Sequence, residues 1–233
     1  MIVGLDISPT STALCIDSDG KESLYVFSKL KENNKYVKLL DFVNFEFVEY
    51  EKHSDYSKNE IAKAKVYHKI SKRLAEIISM HAATSRSGPV KIIIEGHSYS
   101  SQAGHIIDVS TITGMIKGQL FEQLPHADIE LVSPITLKNL TAETTYGSYE
   151  VSEGVRVIRQ KKILKTNHLG TKPSKYQKSD MFIAVNDYQE PTIFDNFMEQ
   201  HYEVLVKMAS VPKPIDDLVD AYWLKETYKK HLK

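Results

Sequence analysis

Residues 90–96 read VKIIIEG, with three consecutive isoleucines closing on a glutamate. A strand that is apolar without alternation belongs in the interior of a sheet covered on both faces. Such a sheet needs layers of helix on either side, so this run points to an α/β architecture. A second short apolar run opens the chain, MIVGLDIS, and it too ends on an acid, Asp6.

The other elements fit that frame. Residues 2–29 read as a three-stranded meander around a Ser-Asp-Gly turn, and 39–50 reads as a further strand from its aromatic and β-branched alternation. Apolar residues at helical spacing (Ile61, Ala64, Ile70, Leu74, Ile77, Ile78) predict a helix over 60–82. A second helix is predicted over 105–123. A strand follows over 127–134, then a short helix in PITLKNLTA with proline in its first turn. KSDMFIAVNDY (178–188) reads as a helix capped by Ser179 or Asp180, and the last helix runs from near Pro214 to about Lys230. Residues 141–175 are poorly periodic and read as a long loop or hairpin, and 189–211 are ambiguous.

The 233 residues suit one domain, here taken as 1–233 with an insertion at about 141–177. Hydrophobic residues make up 42%, enough for a core, and no apolar run approaches the ~20 residues that span a bilayer. The first residues lack a basic segment followed by an apolar one, so no signal peptide is expected. The single cysteine, Cys15, has no internal disulfide partner. A cytoplasmic protein with no membrane contact is the expectation.

Net charge is zero, yet the charge is unevenly spread. Residues 155–178 hold Arg156, Arg159, Lys161, Lys162, Lys165, Lys172, Lys175 and Lys178 with no acid, leaving 22 basic against 30 acidic residues elsewhere. That pattern fits either a solvated loop or a local contact with a polyanion.

Asp6 and Glu95 each end an apolar strand, and ligand sites of α/β sheets favour the carboxyl ends of strands. Each is also compatible with a simple capping role. The stretch PIDDLVDAYWLKE adds Asp216, Asp217 and Asp220 at the start of the last helix, among Leu218, Val219, Ala221, Tyr222 and Leu224. Asp216 and Asp217 fit either a preference of acids for helix N-termini or a shared metal. Asp220 lies beyond the first turn, inside an apolar pattern, where a charge needs a partner or a metal. Hard carboxylate ligands suit Mg²⁺ or Mn²⁺. The nine histidines and one cysteine show no zinc-ligand spacing, and no GxxxxGK[ST] loop is present.

Taken in order, these segments resemble the ribonuclease H-like superfamily and, more narrowly, RuvC-type Holliday-junction resolvases, including divergent viral and phage members. IVGLDISPTSTALCI resembles the opening strand and turn, KIIIEGHSYSS the second acidic strand, and DDLVDAYWL the closing Asp-x-x-Asp-Ala element. SPITLKNLT and KSDMFIAV resemble two segments that carry lysines. The chain departs from the family in having Asp6-Ile7-Ser8 where Asp-Pro-Gly is usual, and in its longer basic insertion.

The resemblance implies a mixed five-stranded sheet flanked by helices. It implies two Mg²⁺ (or Mn²⁺) ions on Asp6, Glu95, Asp217 and Asp220, with Asp216 an alternative to Asp217. It places Lys138 and Lys178 near a scissile phosphate and Tyr99 where bases unstack. Arg156, Arg159, Lys161, Lys162, Lys165 and Lys175 would grip the DNA backbone. The implied substrate is branched DNA, cut by a homodimer whose interface is the helix over 105–123, in the host cytoplasm if the source is viral. Alternatives are another nuclease of this fold, acting on RNA–DNA hybrids, flaps or branched DNA, and an ATP-binding protein of the actin or sugar-kinase type.

Overall fold

The computed structural model describes residues 1–86, 88–96, 103–146, 149–152, 155–158, 176, 178–208 and 210–231. A six-stranded sheet forms the centre: β1 (Ile2–Asp6), β2 (Ser11–Ser18), β3 (Lys21–Ser28), β4 (Asn44–Phe47), β5 (Lys91–Glu95) and β6 (Asp128–Val132). The spatial order is β4-β3-β2-β1-β5-β6. β1, β2 and β3 form the antiparallel meander, whereas β4 runs parallel to β3, β5 parallel to β1, and β6 parallel to β5.

The sheet thus has one strand more than the five expected. β4 is a four-residue edge strand, preceded by a 3₁₀ turn at Val37–Leu39, so only the middle of the 39–50 segment is extended.

Side-chain alternation sorts the sheet into two faces. Val3 and Leu5 of β1, with Ile92 and Ile94 of β5, pack with α1 (Tyr56–Thr84) and α2 (Ala103–Gln123). Ile93, Ala13 and Cys15 pack on the opposite side. That side carries α3 (Pro134–Tyr146), α4 (Lys178–Asp187), α5 (Asp195–Leu205) and α6 (Ile215–His231). By the same period of two, Gly4, Asp6 and Glu95 belong to the α6 face.

α6 lies directly on β1. A Cβ built at Gly4 would stand 2.0 Å from the carbonyl oxygen of Ala221 and 2.7 Å from the backbone nitrogen of Lys225. Gly4 pairs with Cys15, and Asp6 with Ala13, so α6 rests on small residues. Trp223 fixes the helix laterally: it is fully buried and its Nε1–H donates to the Met181 carbonyl of α4 at 2.9 Å.

Several element ends differ from expectation. α1 is longer than 60–82 because Asp55 caps it, its carboxylate accepting the Lys58 N–H at 2.9 Å. α3 continues to Tyr146, six residues into the segment read as a loop from 141, because Leu137, Thr141, Ala142 and Tyr146 bury against the core. Beyond it, β7 (Tyr149–Ser152) and β8 (Val155–Ile158) pair antiparallel. α4 begins at Lys178, which puts Ser179 and Asp180 inside the first turn rather than at the cap. The ambiguous 189–211 segment contains α5, which seats Phe197, Met198 and Leu205 in the core. Among the described residues, no helix is long and apolar enough to cross a membrane.

Candidate metal centre

β1 and β5 are parallel neighbours with Leu5 beside Ile94, so their last residues, Asp6 and Glu95, emerge side by side at the carboxyl edge of the sheet. The chain leaves Asp6 through a turn held by Ser8. Its hydroxyl donates to the Ser11 carbonyl at 2.7 Å and accepts the Ser11 N–H at 3.1 Å. Ser8 therefore gives this turn the closure that a Pro-Gly pair gives elsewhere by backbone preference.

From above, α6 brings Asp217 and Asp220, each 1% exposed; Asp6 is 5% exposed. One carboxylate oxygen each from Asp6, Glu95 and Asp220 lies within 4.8 Å of the others. Asp217 stands beside this trio, lining the same cleft of about 450 Å³ as Asp6 and Glu95, with its Oδ1 held by Lys213 at 2.7 Å. Asp216 is less deeply buried, with its nearest cation, Lys178, at 3.9 Å. Burial distinguishes the two neighbours: Asp217 is 1% exposed and lines the cleft, whereas the Asp216 side chain is 17% exposed.

Two lysines bond these acids. Lys178, at the start of α4, contacts Asp220, and Lys213 contacts Asp217. Both line the cleft, as does Lys138 from α3, whose entry is set by the Ser133 hydroxyl accepting the Thr136 N–H at 3.1 Å. Two lysines bonded among five carboxylates leave the centre short of positive charge. Burial, then Glu95 and Asp217, pushes the Asp6 carboxyl well above the usual carboxylate range. Burial likewise pushes Asp220 up to about 8, against the pull of Lys178 and with Glu95 and Asp216 adding to it. Asp216 is raised, chiefly by burial, despite Lys178. Burial alone would lower Lys178, but Asp220, Asp6, Glu95 and Asp216 hold it well above an ordinary lysine.

The donor set fits a hard divalent cation. It is made of oxygens, it converges from three elements, and Asp217 Oδ2 and Asp220 Oδ1 are buried without a hydrogen-bond partner among the described residues. Buried polar atoms are rarely left so, and cation coordination is the chemistry that satisfies carboxylate oxygens of this kind.

Of the residues singled out from sequence, the structure gathers Asp6, Glu95, Asp217, Asp220, Lys138 and Lys178 around one cleft. Arg156 lies on β8. Tyr99, Arg159, Lys161, Lys162, Lys165, Lys172 and Lys175 lie outside the described residues. Sequence reasoning missed Lys213. Its signal was its spacing, four residues before Asp217, but it sits in the irregular VPKP segment, where helical spacing carries no weight.

No protein-family model matches the chain, and no curated protein matches it. Among solved structures it is similar to Thermus thermophilus RuvC in complex with a Holliday junction substrate, at 12% identity and a TM-score of 0.45, covering 98% of this chain and 92% of that one. A second Thermus thermophilus RuvC structure matches at 11% identity and a TM-score of 0.43, covering 98% and 95%. The yeast mitochondrial Holliday junction resolvase Ydc2 matches at 11% and 0.46, covering 97% and 76%.

Proposed function

We propose that this protein is a metal-dependent, structure-specific DNA endonuclease that resolves four-way junctions by paired phosphodiester hydrolysis. The observation that carries the nuclease reading is the meeting of Asp6, Glu95 and Asp220 from three separate elements within 4.8 Å, under-compensated by lysine. The junction specificity follows from the sequence resemblance to RuvC-type resolvases.

In this reading Asp6, Glu95, Asp217 and Asp220 hold Mg²⁺ or Mn²⁺, two ions in the full site. Bound there, the cations supply Lewis-acid activation of water and neutralise charge at the phosphate. The protein's own groups do the rest. The sheet edge fixes Asp6 and Glu95, and the contact of α6 with Gly4 fixes Asp217 and Asp220 above them. Lys138 and Lys178 reach the cleft from two different helices and would contact the non-bridging phosphate oxygens, where negative charge grows during in-line displacement. The basic run, with Arg156 on β8, would grip the DNA backbone without reading sequence, giving a salt-dependent affinity.

Two symmetric cuts require a two-fold dimer. α2 suits that role. Its exposed residues include Ile107 and Phe121, and a Cβ at Gly104, Gly114 or Gly118 would meet nothing within 4 Å. Each glycine costs an exposed helix about 1 kcal/mol relative to alanine, a cost that close approach of a second helix explains.

The test is cleavage of a synthetic four-way junction, a flap, a duplex and an RNA–DNA hybrid in Mg²⁺, Mn²⁺ or EDTA. Junction cutting that EDTA stops is expected, and fastest cutting of the hybrid overturns the resolvase assignment. Asp6→Asn is expected to lower cleavage on the order of 10²–10³-fold or more while junction binding persists. Unchanged cleavage by that variant removes the acid cluster from the mechanism. Sedimentation of the wild type decides the dimer.

A further inference from the structure

Lys213 is a residue that neither the sequence motifs nor the reading above assigns a role. It stands just before α6, where Lys213–Pro214 is a cis peptide. Its ammonium bonds Asp217 Oδ1 at 2.7 Å and lines the cleft beside Asp6 and Lys138. Three features of this contact are unlike an ordinary structural ion pair. The partners are unequal: Asp217 is 1% exposed, whereas the lysine side chain is 46% exposed, so the ammonium lies between a buried carboxylate and solvent. The pairing is incomplete, because Asp217 Oδ2 stays buried and unpartnered while Oδ1 is taken. Finally, Lys178 repeats the arrangement at Asp220: its side chain is 42% exposed, the carboxylate is 1% exposed, and Oδ1 is left without a partner.

Thus each buried acid at the N-terminal end of α6, Asp217 and Asp220, has one oxygen covered by a solvent-accessible ammonium and one oxygen free. An ammonium and a divalent cation cannot both sit on the same carboxylate oxygen without strong repulsion. The four-carbon stem of lysine allows the ammonium to swing away with no change in the backbone.

We propose that Lys213 is a tethered counter-ion of the acid cluster that a divalent cation displaces, so that it sets how tightly the site takes metal and, once displaced, offers its ammonium to a substrate phosphate. This rests on the metal-centre reading above. It makes Lys213 a positioning residue of the empty site and a phosphate-binding residue of the loaded one. A purely structural tie makes the opposite forecast: if Lys213 only orders Asp217 for the metal, losing it weakens metal binding.

The experiment is a titration of wild type, Lys213→Gln, Lys213→Arg and Asp6→Asn with Mn²⁺ alone, following free Mn²⁺ by electron paramagnetic resonance. Lys213→Gln is expected to bind Mn²⁺ on the order of tenfold tighter. Lys213→Arg, which keeps the charge, is expected to stay within about twofold of wild type. Equal or weaker binding by the Gln variant overturns the counter-ion role. Absence of Mn²⁺ binding by wild type, or binding undiminished in Asp6→Asn, instead overturns the metal-centre reading itself.

Should Lys213→Gln fold poorly, side-chain ¹⁵N NMR of wild-type lysines decides the matter. The Lys213 ammonium signal, identified by its loss in Lys213→Arg, is expected to shift on adding Mg²⁺; an unmoved signal overturns the displacement. With Ca²⁺ present to bind junction DNA without cutting, Lys213→Gln is expected to bind about three- to tenfold more weakly than wild type. Unchanged junction affinity overturns the phosphate role.

Discussion

The two ends of α6 both bury charge, and they do so with opposite outcomes. At the C-terminal end Lys225 is fully buried, bonded to Glu22 of β3 and to Glu226 at 2.8 Å. Lys229 reaches Asp17 of β2 at 2.7 Å, and the Tyr188 hydroxyl donates to Glu226 at 2.9 Å. Each acid there has a cation or a donor. Burial would raise Glu226 and Asp17, yet Lys225 and Lys229 hold both below their ordinary values. At the N-terminal end burial wins: Asp6 and Asp220 are driven up, and two buried oxygens find no partner. The difference is in the count of cations and not in the depth of burial. A buried charge set that closes on itself fastens a helix to a sheet, whereas one that stays short of positive charge is the feature on which the proposed cation site rests.

The largest effect of breaking this contrast is expected at the closed end. Lys225→Met leaves Glu22 and Glu226 facing each other without their cation. It is expected to cost about 3–5 kcal/mol in chemical denaturation, with no recovery on adding Mg²⁺. Recovery by Mg²⁺ would mean that the two ends are not distinct. Next, Gly4→Ala pushes a methyl into the backbone of α6 and is expected to cost about 2–3 kcal/mol or more. It also lifts Asp217 and Asp220 from Asp6, so divalent-cation binding should fall with it. A cost below about 1 kcal/mol contradicts the close seating of the helix.

A sharper comparison uses one chemical change at both ends. Asp220→Asn removes a charge that Lys178 compensates only in part and is expected to raise the melting temperature in EDTA. Glu226→Gln removes one that is compensated and is expected to lower it, each by the few degrees that about 1 kcal/mol gives in a chain of this size. The same sign for both variants defeats the comparison.

The smallest effect is in pH. Because Asp17 and Glu226 have native values below the unfolded ones, the folded state binds fewer protons there. Their contribution is present above about pH 4 and is lost as pH falls through the native values. The stability gap between wild type and Glu226→Gln should therefore narrow on acidification below about pH 4.

Particular residues show how far a sequence reveals such a site. Asp6 and Glu95 are legible because an apolar strand that ends on an acid is a local pattern, and Asp220 because it lies past any helix cap. The central strands and the long helices are legible for the same reason. Gly4 is not, since the need for a missing side chain exists only once α6 lies across it. Lys213 and α5 escape notice because prolines and short, polar-interrupted periods hide them, and the strand read over 39–50 is too long because four residues at a sheet edge carry little pattern to mark their ends. The closed network at the far end is equally hidden: Glu22 and Lys225 are 203 residues apart and meet only through the fold.

The most direct test of the proposed cation centre at the N-terminal end of α6 is thermal melting in EDTA and in Mg²⁺, for wild type and Asp6→Asn side by side. A ligand bound only by the folded state raises its stability in proportion to the logarithm of its concentration. The wild type is expected to melt higher with rising Mg²⁺, and Asp6→Asn to lose most of that rise. A wild type indifferent to Mg²⁺ and Mn²⁺, or an Asp6→Asn variant that gains as much as wild type, would contradict the assignment.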